Sequence, residues 1–206
     1  MKRRPLLALS ALAPLAAFLP AAHAAAVGQS APDFTLMDTA GKPVKLSDFR
    51  GKHVVLEWNN PGCPFVRKHY QGNMQALQKD AAGKGIVWLS INSTEDASAD
   101  YMTGPQLGRW MNEQKAAPTA TLMDEEGQVG RAFAARVTPH MYIVDPQGRL
   151  VYAGGIDSIP SARVDDIPKA TPYIRNAMAE IAAGKPLSVT TSRPYGCSIK
   201  FKGGAV

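Results

Sequence analysis

The chain has only two cysteines, Cys63 and Cys197, in 206 residues. So small a number excludes a disulfide-stapled scaffold, and a chain of this length buries a core without staples. Neither cysteine has the Cys/His spacing that structural zinc requires. Charged residues make up 19% of the chain, below the usual ~25%, and no long low-complexity tract is present, so wholesale disorder is excluded. There is no internal repeat. No nucleotide loop, flavin motif or haem motif is present either, so no cofactor is expected. The formal net charge of +6 is not gathered into the basic stripe of a nucleic-acid binder. No apolar run reaches the ~20 residues of a good membrane span.

The first residues do carry a pattern. Lys2, Arg3 and Arg4 precede an apolar run over 6–19, broken by Pro14, and then Ala22-His23-Ala24. A basic start, a short apolar stretch and a small-residue cleavage site make a secretory signal. Residues 1–24 are read as removed on export to the periplasm or the cell exterior. The Arg3-Arg4 pair lacks the rest of the twin-arginine pattern, which favours the general secretory route. Export leaves 182 of the 206 residues and a net charge of +3, since three basic residues and no acidic ones depart. That length suits one domain of roughly 100–200 residues. The domain is placed at 25–186, with 187–206 as a tail and no membrane attachment once the signal is gone.

Phe34-Thr35-Leu36 and Val44-Lys45-Leu46 flank a turn bearing Gly41 and predict a hairpin. Residues 53–58 are mostly apolar, as a buried central strand should be. The loop Asn59-Asn60-Pro61-Gly62 leads to Cys63-Pro64 and a helix over 65–82, with Tyr70, Met74, Leu77 and Ala81 on one face. Strands follow at 86–91 and 119–123, and helices at 105–115 and 129–136. A second hairpin spans 141–145 and 150–153. Tyr173, Ala177 and Ile181 mark a last helix, closed by Gly184 and Pro186. This order predicts an α/β fold with a mixed central sheet covered on both faces. Its helix-linked strands should be parallel, and the hairpins add antiparallel ones.

Cys63 lies where a central strand gives way to a helix, and Pro64 suits the first helical position. The free N–H groups and positive dipole end of a helix start favour thiolate over thiol. Arg67 and Lys68, one turn on, add positive potential. These features point to a nucleophile; the bland alternative is a buried, inert thiol.

Taken together and in order, several segments resemble the thioredoxin-like superfamily, and within it the redoxin group of alkyl hydroperoxide reductase/thiol-specific antioxidant and peroxiredoxin-like proteins. They are Ala31-Pro32-Asp33-Phe34-Thr35-Leu36, Leu46-Ser47-Asp48-Phe49-Arg50-Gly51-Lys52, Val54-Val55-Leu56-Glu57-Trp58, Cys63-Pro64-Phe65 and the stretch 137–145 with Thr138-Pro139-His140. The resemblance covers roughly residues 26–183. It implies a thioredoxin-like fold with an N-terminal hairpin, and a cis bond at Thr138-Pro139 lying against Cys63. It also implies a neighbouring backbone edge where an extended substrate can pair. Trp58, Asn60, Pro61, Thr138, Pro139 and His140 are the candidate groove residues.

The sequence departs from the superfamily in two ways. The position three residues after Cys63, a second cysteine in thioredoxins, is Val66, which excludes the short dithiol disulfide. The position three residues before Cys63, a threonine in peroxiredoxins, is Asn60, and the position of their arginine matches Pro139. Arg136 or Arg67 is left to supply positive charge. Cys197 lies in Arg193-Pro194-Tyr195-Gly196-Cys197, where the Pro/Gly turn suggests a flexible tail able to reach Cys63 as a resolving cysteine. A permanent structural disulfide and an idle thiol are the other readings. His53 and His69 are read as structural or exposed, whereas His140 is placed to approach Cys63. A copper site of Cys63, His140 and Met141 is conceivable, but the usual paired cysteines are missing, so no metal is assigned.

The sequence therefore predicts an exported thiol oxidoreductase with Cys63 as nucleophile. Its substrate is a peroxide, or a protein or small-molecule thiol or disulfide, and an unidentified thiol reductant recycles it. The alternative is a non-catalytic groove protein that binds a peptide or carries copper.

Overall fold

A computed structural model describes residues 25–204. The expected signal, residues 1–24, lies outside the described residues. The centre of the molecule is strand β3 (Val54–Trp58), whose five residues are all buried. Its β-branched and aromatic side chains fit a pleat covered on both sides. β3 pairs in parallel with β4 (Val87–Asn92) and antiparallel with β7 (His140–Val144). β4 pairs in parallel with β5 (Ala120–Met123). The N-terminal hairpin, β1 (Thr35–Asp38) and β2 (Pro43–Lys45), adds on through β1, antiparallel to β5. β8 (Leu150–Gly154) closes the other edge, giving the order β2-β1-β5-β4-β3-β7-β8. This is the mixed sheet that the sequence predicts.

Side-chain alternation along the strands creates two cores. Val55, Met141 and Ile143 face a core built with α2 (Asn73–Gly83), α3 (Gly104–Glu113) and α5 (Tyr173–Ala182). Val54, Leu56, Trp58, Tyr142 and Val144 face the other, covered by Ala31, Phe34, Leu46 and residues of α4 (Gln128–Ala132) and its end. Among the described residues no helix is long and apolar enough to cross a membrane.

Two departures from the sequence reading matter. The single helix expected over 65–82 is broken into α1 (Pro64–His69) and α2. The break falls at Gly72, whose φ of 117° is open to glycine and strained for other residues. The side chain of Gln75 then accepts the Gly72 N–H at 3.0 Å and caps the new helix start. The apolar stripe survives, with Tyr70, Met74, Leu77 and Ala81 all in one core.

The second departure is the tail, which is docked from Thr190 to Phe201. Residues 190–192 run beside β8, with Ala153 N–H donating to the Thr190 carbonyl at 3.1 Å and Ser192 N–H to the Ala153 carbonyl at 3.3 Å. Tyr195 enters the first core, and Ile199 and Phe201 enter the second. Between them β9 (Cys197–Ser198) pairs antiparallel with β6 (Val137–Thr138). The tail thus straps across one end of the sheet. Burial of three large apolar side chains, about 1.5–3 kcal/mol each when complete, outweighs the freedom that the Pro/Gly turn suggests.

Candidate active site

The site forms where β3 ends, α1 begins, the β6–β7 turn comes close and the tail crosses. Cys63 is the residue before α1, with Pro64 in the first helical position as expected. Its N–H donates to the Asn60 carbonyl at 3.0 Å, and its carbonyl accepts from Arg67 N–H at 3.0 Å. Asn60 also braces the turn: its Oδ1 accepts Gly62 N–H at 2.7 Å, and its Nδ2 donates to Thr94 Oγ1 at 3.2 Å. Pro61 is buried, and its carbonyl accepts from Arg67 Nε at 2.7 Å. Both residues hold the loop that presents Cys63.

Thr138–Pro139 is cis. The Cys63 thiol donates to the Thr138 carbonyl oxygen at 3.1 Å, so this turn lies directly on the sulfur. The Thr138 hydroxyl is buried and has no hydrogen-bond partner among the described residues. Opposite Thr138 in the β6–β9 pair stands Cys197. Burial first, and then the neighbouring Cys63 side chain, push Cys197 up to about 12. Both cysteines are free, Cys63 buried at 2% exposure and Cys197 half-buried. A thiol held protonated is a poor first attacker, so Cys197 is suited to act after Cys63 rather than to start the chemistry.

Trp58 and His140 do not join this group. They pair across β3 and β7 but face the second core, on the side of the sheet away from Cys63. Trp58 packs on Phe133 and Tyr142 and donates to Ser93 Oγ at 3.0 Å. His140 lies against the Tyr142 ring, with Nδ1 3.1 Å from the Tyr142 hydroxyl. A copper site joining Cys63 to His140 is therefore not built, and no group of three or more ligating side chains suits a metal among the described residues. The period-2 alternation of strands carries this information, because His140 and Met141 must face opposite ways.

His140 is pushed down to about 3 by burial and, secondarily, by the Arg136 charge. His69 is pushed down to about 3 by burial and then by Lys68. Both are neutral in the folded protein at neutral pH. The unfolded chain binds protons near pH 6.5 that the native fold refuses, so these groups remove stability as pH falls from about 6.5 toward 3. Each contributes a slope of about 1.4 kcal/mol per pH unit inside that window. Urea unfolding of wild type and His140→Asn at pH 7 and pH 5 checks this. The variant should lose less stability on acidification, and an unchanged difference would contradict the assignment.

The structure also shows residues that the sequence did not single out. Lys68, expected to lend charge to Cys63, is instead fully buried behind α1. Its Nζ lies 3.7 Å from Asp157 Oδ2, 3.5 Å from the Ile159 carbonyl and 3.4 Å from the Tyr195 hydroxyl. Tyr195 donates to Asp157 Oδ1 at 2.5 Å and lies 3.1 Å from His69 Nε2. Its ring meets Phe65 edge-on with centroids 5.8 Å apart. This buried cluster fixes the tail two residues before Cys197. Tyr195 and Gly196 adjoin Cys197 in sequence, the only local hint of their role; nothing near Asp157 signals it.

A protein-family profile described as the AhpC/TSA family matches residues 27–153. The thiol-disulfide oxidoreductase ResA of Bacillus subtilis (strain 168) is 27% identical over 124 residues, which are 60% of this chain and 64% of that relative. The chain thus spans just under two thirds of that relative's length. A crystal structure of an uncharacterized conserved protein from Geobacillus kaustophilus is similar at TM-score 0.75 and 28% identity, covering 87% of this chain and 94% of that one. The thioredoxin domain of a thiol-disulfide oxidoreductase from Bacteroides vulgatus, 23% identical, is similar at TM-score 0.51, covering 70% of this chain and 96% of that one. With a matching profile over more than half its length and this sheet order, the chain has a thioredoxin-like fold and belongs to the AhpC/TSA family.

Proposed function

We propose that the protein is an exported thiol-dependent oxidoreductase in which Cys63 is the nucleophile and Cys197 its disulfide partner. The observation that carries this reading is the β6–β9 pairing. It sets Cys197 opposite Thr138, and the Thr138 carbonyl is the group that Cys63 touches. Family membership and the similarity to ResA support the class of chemistry. Export rests on the signal pattern of residues 1–24. The working unit is the 25–186 domain closed by the 187–206 strap.

With a hydroperoxide, the Cys63 thiolate attacks one oxygen and the O–O bond breaks. Cys63 becomes a sulfenic acid, and the leaving alkoxide or hydroxide takes a proton. The Cys197 sulfur then attacks the sulfenic sulfur. The S–S bond forms, and the Cys197 proton leaves with the sulfenic hydroxyl as water. With a disulfide, Cys63 attacks one sulfur and expels a thiolate, and Cys197 resolves the mixed disulfide by expelling the second. Two equivalents of an external thiol return both cysteines to the reduced state and leave as their own disulfide.

The test is turnover of hydrogen peroxide with dithiothreitol as reductant. Cys197→Ser should stall after the first oxidation and accumulate sulfenic or over-oxidised Cys63. A variant that recycles as fast as wild type and leaves no such species would remove Cys197 from the cycle.

A further inference from the structure

Beside Cys63 the backbone of β6 offers one short edge, and such an edge is a template for an extended polypeptide. In this protein the edge is already occupied. β9 pairs with it in the register Val137↔Ser198 and Thr138↔Cys197, and Ile199 N–H donates to the Arg136 carbonyl at 3.0 Å. A polypeptide placed there would have to displace this chain's own strand.

The strand is held at both ends. On one side Tyr195 is fixed by Asp157, His69, Lys68 and Phe65. On the other, Ile199 and Phe201 lie in the second core. There the Lys200 carbonyl accepts Glu95 N–H at 2.8 Å, and the Lys202 carbonyl accepts from Arg131 at 2.6 Å. At the crossing, Gly196 passes so close that a Cβ there would collide with the Thr138 carbonyl oxygen, and its φ is 142°. With the strand in place Cys63 is 2% exposed. The neighbouring Thr138 hydroxyl is buried without a partner among the described residues, the kind of group that a small polar oxidant satisfies.

We propose that β9 is a built-in specificity gate, docked on β6 so that Cys63 accepts small hydroperoxides and excludes extended polypeptide disulfides. The proposal rests on Cys63 being the nucleophile. It deepens that reading by choosing between the two substrate classes that the chemistry leaves open. Tyr195 and Gly196 are the specificity-determining residues: neither touches the reacting atoms, and both set whether the edge is filled.

The test is the single-turnover rate of Cys63 oxidation, read by thiol loss, with two oxidants. One is hydrogen peroxide; the other is a ten-residue extended peptide carrying a disulfide to a single cysteine. Wild type should react with peroxide and at least tenfold more slowly with the peptide. Gly196→Ala should raise the peptide rate about tenfold or more, with the peroxide rate within threefold of wild type. Tyr195→Phe keeps the ring on Phe65, removes the hydroxyl that meets Asp157, and should shift the ratio of rates in the same direction. It serves as the release variant if Gly196→Ala does not fold. A wild type that takes the peptide as fast as peroxide overturns the gate, and so do folded variants with an unchanged ratio. If Cys63 reacts with neither oxidant in any folded variant, the nucleophile reading itself fails, and the gate falls with it.

Discussion

Asp157→Ala is expected to produce the largest loss of stability of any single change outside the hydrophobic cores. Lys68 and Asp157 are 0% and 4% exposed at their side chains, and among the described residues the ammonium meets Asp157, the Ile159 carbonyl and the Tyr195 hydroxyl. Removing the carboxylate strands a buried positive charge, which costs about 3–5 kcal/mol. His69 cannot compensate, because an imidazole carries no negative charge. For a chain of this size such a loss lowers the thermal midpoint by roughly 10 °C. Replacing both partners with apolar residues, as in Lys68→Met with Asp157→Leu, removes the stranded charge and should recover much of the loss. Thermal unfolding of the single and double variants separates the two cases. Equal midpoints for wild type and Asp157→Ala would show that the pair does not hold α1 and the tail together.

The largest effect on activity is expected from Cys63→Ser. A serine hydroxyl keeps the size and the contact with the Thr138 carbonyl, so the fold should be retained. It does not ionise near neutral pH, so nucleophilic attack is lost. Peroxide turnover should fall to about a thousandth of wild type or less, the scale seen when a nucleophile is removed outright. Cys197 cannot substitute, because burial, the larger cause of its raised pKa, still holds its thiol protonated. A Cys63→Ser variant that still turns over peroxide with dithiothreitol would move the chemistry to Cys197, against this account.

Much of the fold is legible in the sequence because its signals are local. The apolar runs of β3 and β4, the Gly41 and Gly148 turns and the stripe through Tyr70, Met74, Leu77 and Ala81 each sit within a few residues. Cys63 at a strand–helix junction followed by Pro64, and Thr138-Pro139 before a strand, are local too. What escaped reading depends on long-range contact. Tyr195 reaches His69, 126 positions away, and Cys197 finds Thr138 only through the β6–β9 pairing. The tail has no helical or strand period to announce burial. Tyr195, Ile199 and Phe201 enter two different cores, so no single face repeats. Lys68 misled for a related reason: a lysine beside an active cysteine reads as surface charge until a distant aspartate is seen to neutralise it. That Trp58 and His140 face the second core, away from Cys63, was available in the strand alternation.

The central claim is that the strap brings Cys63 and Cys197 together as one redox pair. Its most direct test is disulfide mapping by mass spectrometry of the purified protein, digested without reductant after stoichiometric hydrogen peroxide. The account predicts one cross-linked peptide pair that joins Cys63 to Cys197 within a single chain and disappears on addition of dithiothreitol. Cys63 carried to sulfinic acid while Cys197 remains a free thiol would contradict it.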